Sequence, residues 1–188
     1  IVMLGHKNDW KINNPIKLNY NITRNLAQIS AHCWLNNKSQ ICLDNDVIFA
    51  NKGKATISLN NIDLGLANSL INNQTNMAGY IDGKININWD PKFKIPDITA
   101  YLDGKNVYIK QQIASQTLPI PFDLFKINAD LNDKQANLSW KFGFSNLGKF
   151  SGNLRIIDPV KEKRLSGQVD INNISLAMFN PLLNGNEH

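Results

Sequence analysis

The chain has 188 residues, a formal net charge of +5, an apolar share of 43% and a charged share of only 19%. It holds 29 asparagines but only two glutamates, Glu162 and Glu187. That shortage of helix-surface residues excludes a mostly helical fold. Regularly spaced Ile, Leu, Val and Phe exclude a fully disordered chain, and no apolar run approaches the ~18 residues of a membrane-spanning helix.

The chain opens on Ile1-Val2-Met3-Leu4-Gly5 and closes on Asn184-Gly185-Asn186-Glu187-His188. It reads as a fragment of a longer protein, with residues 1–188 as a single module. Weak period-two alternation appears at Leu18/Tyr20/Ile22 and at Ile29/Ala31/Cys33. Cys33 and Cys42 flank the turn-forming stretch Asn36-Asn37-Lys38-Ser39, which predicts a β-hairpin with the cysteines facing each other. A disulfide there fits an oxidising compartment, and two buried free thiols fit a reducing one. Asp44-Asn45-Asp46 is an acidic cluster that reads as a turn before it reads as a cation site.

Clearer alternation follows at Ala55/Ile57/Leu59, and then a short helical spot at Leu64–Ile71. In Gly79–Trp89 one face carries Ile81, Ile85, Ile87 and Trp89, and the other carries Tyr80, Asp82, Lys84, Asn86 and Asn88. Ile98/Ala100/Leu102 is a weaker strand that ends at a predicted Asp103-Gly104 turn. Phe125/Ile127/Ala129/Leu131, Ala136/Leu138/Trp140/Phe142/Phe144, Phe150/Leu154/Ile156 and Leu165/Val169/Ile171 complete the strand pattern. A second helical spot is predicted at Leu176–Leu183. The phrase Asn61-Ile62-Asp63-Leu64 returns as Asn173-Ile174-Ser175-Leu176, a weak internal repeat about 112 residues apart.

The pattern predicts roughly ten to twelve antiparallel strands, each with one apolar face. The helical spots are too short to cover a large sheet, so the sheet must cover itself. It can do so as a sandwich, as a barrel, or as a long sheet folded lengthwise into a trough. A sealed core is the commoner solution, and alternation alone does not separate it from an open groove.

The chain shows no phosphate loop, zinc-protease motif or nucleophile elbow. His6, His32 and His188 are scattered and suggest neither a metal site nor a catalytic set, so neither enzyme activity nor a cofactor is expected. Positive charge is spread thinly and the aromatics lie on apolar faces, which argues against nucleic acid as a partner. Lys161-Glu162-Lys163-Arg164 reads as an exposed hairpin tip.

Several phrases in order carry a resemblance: Cys33-Trp34, Ile41-Cys42-Leu43, an alternating strand, Asn61-Ile62-Asp63-Leu64 with a Leu-rich turn, and Gly79-Tyr80-Ile81-Asp82-Gly83. Together they resemble the C-terminal region of the TamB family, the translocation and assembly module proteins. The Gly167–Leu183 phrase is similar to repeats of the wider AsmA-like group. The resemblance covers most of the chain. It implies a long antiparallel sheet folded into a taco-like hydrophobic groove, in a protein anchored in the inner membrane and extending through the periplasm. It also implies assembly of outer-membrane proteins, autotransporters among them, or phospholipid transport, with the outer-membrane barrel TamA as partner of the whole protein. No terminal partner-binding segment of the family finds a match here. On this reading the groove is lined by Ile57, Leu59, Ile81, Ile85, Ile87, Trp89, Leu138, Trp140, Phe142, Phe144, Leu154, Val169 and Ile171. It would take phospholipid acyl chains or a nascent outer-membrane protein. The alternative is a structural or adhesive β-sandwich with a closed core.

Overall fold

The computed structural model describes residues 9–145 and 147–175. In this part the strands run β1 Lys11–Ile12, β2 Leu18–Asn21, β3 Leu26–Ile29, β4 His32–Asn36, β5 Ser39–Leu43, β6 Val47–Phe49 and β7 Gly53–Asp63. A short 3-10 helix, Leu64–Ser69, interrupts them. After it come β8 Thr75–Trp89, β9 Asp97–Ile113, β10 Gln116–Pro121, β11 Leu124–Leu131, β12 Gln135–Gly143, β13 Lys149–Ile157 and β14 Arg164–Asn172.

Eleven of these strands form one antiparallel sheet in the order β1-β4-β5-β7-β8-β9-β11-β12-β13-β14, with β10 on the far half of β9. The sheet does not close into a barrel. The fold is therefore all-β and consists of a curled open sheet, as expected. A separate three-stranded sheet, β2-β3-β6, meets it beside β7.

Register turns the alternation in each strand into a property of the whole sheet. Residues paired across antiparallel strands point to the same face. One row runs Leu43, Ile57, Ile85, Ala100, Ala129, Leu138 and Leu154. The next runs Ile41, Leu59, Gly83, Leu102, Ile127, Trp140, Gly152 and Val169. Ala55, Ile87, Ile98, Leu131, Ala136, Ile156 and Leu165 form a third. The opposite face carries rows such as Thr56, Asn86, Thr99, Asp130, Asn137 and Arg155.

Two bulges bend the long strands at one level. β7 carries an extra residue between Leu59 and Ile62, and β9 carries one opposite Ala78–Tyr80. At the first, Asn61 takes φ 51° and its N–H donates to Asp82 Oδ1 at 2.7 Å. At the second, Asn106 takes φ 51° and faces Gly79 at φ 102°, where a Cβ would collide with the Asn106 carbonyl. An extra residue in one strand sharpens twist and bends the ribbon there. Beyond the bends Val107 and Leu118 are among the few buried apolar residues, with Ile81 just below.

The asparagines acquire a structural meaning here. Among the described residues nine non-glycine residues have positive φ, and five of them are Asn: Asn25, Asn37, Asn61, Asn106 and Asn173. Asn tolerates the left-handed region better than most residues because its short side chain bonds locally. Asn61 and Asn173 stand at equivalent places in the repeated phrase and share this conformation. Asn68 substitutes for strand backbone: its amide accepts from Met77 N at 2.8 Å and donates to Met77 O at 2.9 Å.

Several expectations are corrected. The expected Asp103-Gly104 turn lies inside the continuous strand β9, where Gly104 faces inward against Val107 and Phe125. Ile29/Ala31/Cys33 is no single strand. The chain breaks between β3 and β4, which puts Trp34 on the apolar face and Cys33 on the polar one. Leu18, Tyr20 and Ile22 are 75%, 63% and 83% exposed and belong to no core. Strand β10 escaped the alternation because Pro119 and Pro121 interrupt it. Both fit there because β10 pairs only with β9, so the missing N–H groups fall on its open side. The first helical spot is the 3-10 turn, and the second, Leu176–Leu183, lies outside the described residues.

Candidate functional site

The apolar face of the large sheet is the candidate site. Of the residues expected to line it, Ile57, Leu59, Ile81, Ile85, Ile87 and Trp89 come from β7 and β8. Leu138, Trp140 and Phe142 come from β12, Leu154 from β13, and Val169 and Ile171 from β14. The cross-strand rows place all twelve on one face. Phe144 lies just past β12, and its ring meets that of Phe122 at 5.1 Å.

Burial falls steadily along this face. Ile81 is 7% exposed, Leu138 37%, Leu154 39%, Val169 52% and Ile171 64%. Among the described residues no large side chain is fully enclosed, and only five apolar residues count as buried. Among the described residues, the apolar side of β11–β14 is therefore not enclosed by other parts of the chain. The three-stranded sheet reaches the face only near its start, where Phe49 stacks on Trp89 at 6.3 Å. Trp89 is fixed there by its Nε1 donating to Ala50 O at 3.0 Å.

Aromatics set the contour of the exposed half. Phe122, Phe125, Phe142, Phe144 and Phe150 form a chain of ring contacts between 4.9 and 6.2 Å. The Trp140 ring lies over Gly152, where a Cβ would enter the indole, and Trp89 covers Gly53 in the same way. Glycines beneath rings let the rings lie flat and keep the inner surface smooth. Trp140 Nε1 is buried without a hydrogen-bond partner. Toward the opposite ends of these strands lies an open trough of about 290 Å³, lined among others by Ile98, Leu131, Ala136, Leu138, Leu154 and Ile156. Phe122 was missed in the sequence because it sits in the connection between β10 and β11, where no alternation marks it.

The polar face is knitted by short-range charge pairs. Asp82 sits opposite Asp103, with Lys105 on Asp82 and Lys126 3.3 Å from Asp103. Hydrogen bonding from Lys105, and then from the Asn61 N–H, holds the Asp82 carboxyl below the usual carboxylate range. Asp133 is held low in the same sense by the N–H groups of Lys94 and Ile95. Cys33 and Cys42 are directly paired across β4 and β5 and form a disulfide on this face, which resolves the two readings of the pair in favour of the bridge. Asp44-Asn45-Asp46 is a turn: Asp44 accepts from Ser58 Oγ at 2.7 Å, and Asp46 accepts from Ala31 N at 2.8 Å.

Among the described residues no three His, Cys, Asp or Glu side chains form a metal-binding group. No helix there is long and apolar enough to cross a membrane. A mixed cleft of about 580 Å³ lies at the strand ends, lined among others by Asn88, Phe93, Asp97, Ile98, Asp130 and Lys134. It holds neither a nucleophile with a base nor a phosphate cradle.

Residues 4–188 match the family model described as TamB, N-terminal domain. The chain is 26% identical over 181 residues to the translocation and assembly module subunit TamB of Haemophilus influenzae. That alignment takes in 95% of this chain and 14% of the relative's length. No solved structure matches significantly. The resemblance placed the chain in the C-terminal region, whereas the matching model is the N-terminal domain. The region is therefore corrected, because alternating strands closed by an Asn-Ile-x-Leu turn carry no mark of position. On the match over nearly its whole length, the chain belongs to the TamB family.

Proposed function

We propose that residues 1–188 form a single non-enzymatic β-groove module of a longer TamB-like protein, and that its open apolar face shelters acyl chains in transit across the periplasm. The observation that supports this reading is the uncovered inner face of β11–β14, with Leu138, Leu154, Val169 and Ile171 between 37% and 64% exposed. Exposed apolar area of this extent marks a surface that meets an apolar partner. Each methylene that leaves water for the trough gains about 0.8 kcal/mol. A chain held by such contacts can slide along the rows, because no directional bond must break. The full-length protein would be anchored in the inner membrane and work with TamA at the outer membrane, as the name translocation and assembly module suggests for the relative.

The test is Leu138→Arg and Ile87→Arg in the full-length protein. Both variants should fold and lose support of outer-membrane protein assembly. Normal activity of both folded variants rules the groove out.

A further inference from the structure

We propose that the β2–β3 hairpin is a docking element for an anionic bilayer surface: Leu18, Tyr20 and Ile22 enter it, and the basic end of the molecule lies against its headgroups. This is independent of what the groove holds. In the three-stranded sheet the pairings Leu18–Ile29–Val47 and Tyr20–Ala27–Phe49 set two apolar rows side by side on one face. Burial falls across that face. Val47 is 2% exposed, Phe49 55%, Tyr20 63% and Leu18 75%, and Ile22, just past β2, is 83% exposed. The β6 margin is held by the large sheet, where Phe49 stacks on Trp89 and Ala50 O accepts from Trp89 Nε1 at 3.0 Å. Among the described residues β2 pairs only with β3.

The exposed row stands on a closed turn. Tyr20 Oη donates to Asn25 Oδ1 at 2.9 Å, and Arg24 N donates to Asn21 Oδ1 at 3.0 Å. Asn19 and Gln28 pair on the opposite side of the hairpin. Large apolar side chains in a contiguous exposed row mark a surface that meets an apolar partner.

Charge identifies that partner as lipid. Ala27 pairs with Phe49 and Gly53 with Trp89, so the hairpin tip lies at the same end as the connections before β9, between β11 and β12, and between β13 and β14. Residues 22–25, 50–54, 88–97, 132–134 and 158–164 at this end hold nine Lys and Arg and five Asp and Glu. With every carboxylate counted as charged the end carries +4, against +5 for the whole chain. Residues 17–31 contain Lys17 and Arg24 and no Asp or Glu. The acids before β6 sit at the opposite end of the small sheet, where Asp46 accepts from Ala31 N at 2.8 Å and Asp44 lies 3.8 Å from Lys84 Nζ. The ion pairs among the described residues use neither Arg24 nor Lys52 nor Lys54. An anionic bilayer takes the apolar row into hydrocarbon and answers the cations with phosphates. Tyr20 suits the boundary between them, because its ring is apolar and its hydroxyl stays wet.

The test is flotation of the full chain with vesicles of phosphatidylglycerol and phosphatidylethanolamine, and separately with vesicles of phosphatidylcholine. Wild type should float with the anionic vesicles and be released by salt. The triple variant Leu18→Ser, Tyr20→Ser, Ile22→Ser should keep the wild-type circular dichroism spectrum and lose roughly tenfold in partitioning. Arg24→Gln with Lys52→Gln should weaken binding to the anionic vesicles alone. Leu70→Ser, at a site 85% exposed beside the 3-10 helix, should float as wild type. Leu138→Arg, which alters the groove, should also float as wild type, so the groove reading and the docking reading fail separately. Wild type that stays in solution, or a triple variant that floats as well as wild type, overturns the docking. A triple variant that converts a wild-type dimer to a monomer in sedimentation and still floats assigns the hairpin to a second copy and overturns it too.

Discussion

Leu138→Arg and Ile81→Arg should have very different effects on stability, although both put a charge on the apolar face. Leu138 is 37% exposed in the open half, and Ile81 is 7% exposed near the bend. Full burial of such a side chain stabilises by about 1.5–3 kcal/mol, so losing the partial burial of Leu138 costs roughly 1 kcal/mol. An arginine there can lay its stem on Ala129 and Leu154 and keep its guanidinium in water. At Ile81 the charge has no such exit, and an unpaired buried charge costs several kcal/mol. In a chain of this size 1 kcal/mol corresponds to about 2–4 °C in Tm. Thermal melts followed by far-ultraviolet circular dichroism should show a drop of a few degrees for Leu138→Arg and no cooperative transition for Ile81→Arg. Equal collapse of both variants means that the face around Leu138 is sealed, and it refutes the open-groove account.

Three further outcomes follow from the same structure. In the folded chain Asp82 and Asp133 both titrate below the ordinary aspartate range. Their stabilisation is present above that range and is lost as pH falls through the lower folded values. Stability should stay level from neutral pH to about 5 and fall below about 4, with a flatter fall in the double variant Asp82→Asn, Asp133→Asn measured by urea titration. Reducing the Cys33–Cys42 bridge, which closes a loop of sequence separation 9, should lower stability by roughly 2–3 kcal/mol. Melts with and without reductant check this, and equal Tm values argue against a stabilising bridge. Gly79→Ala should destabilise by about 1–3 kcal/mol, because Gly79 combines φ 102° with close approach to the Asn106 carbonyl. A neutral effect would mean that the bend at that level is not set by this contact.

Much of the architecture was legible because period-two alternation runs unbroken through most of the sheet. Ile81, Ile85, Ile87 and Trp89 fall on one face with Leu138, Trp140 and Phe142 because antiparallel pairing keeps the sides of each strand in step. What stayed hidden was what interrupts that period. The extra residue in β9 moves the apolar side from even to odd numbers between Leu102 and Val107, so the second half of the strand reads as a new element. Pro119 and Pro121 conceal an edge strand, and Phe122 joins the aromatic cluster from a connection. Whether the apolar face is covered is a question of long-range packing, and neither Leu138 nor Leu154 carries any sequence mark of being left open. Asparagine abundance looked like an absence of helix formers; in the structure five Asn residues take the left-handed positions of turns and bulges.

The most direct measurement is site-specific photo-crosslinking in cells that produce the full-length protein. A photoreactive residue at Leu138 samples the apolar face, and one at the adjacent Asn137 samples the polar face. The groove account expects phospholipid adducts at Leu138 and none at Asn137. Adducts at both positions, or at neither, contradict it.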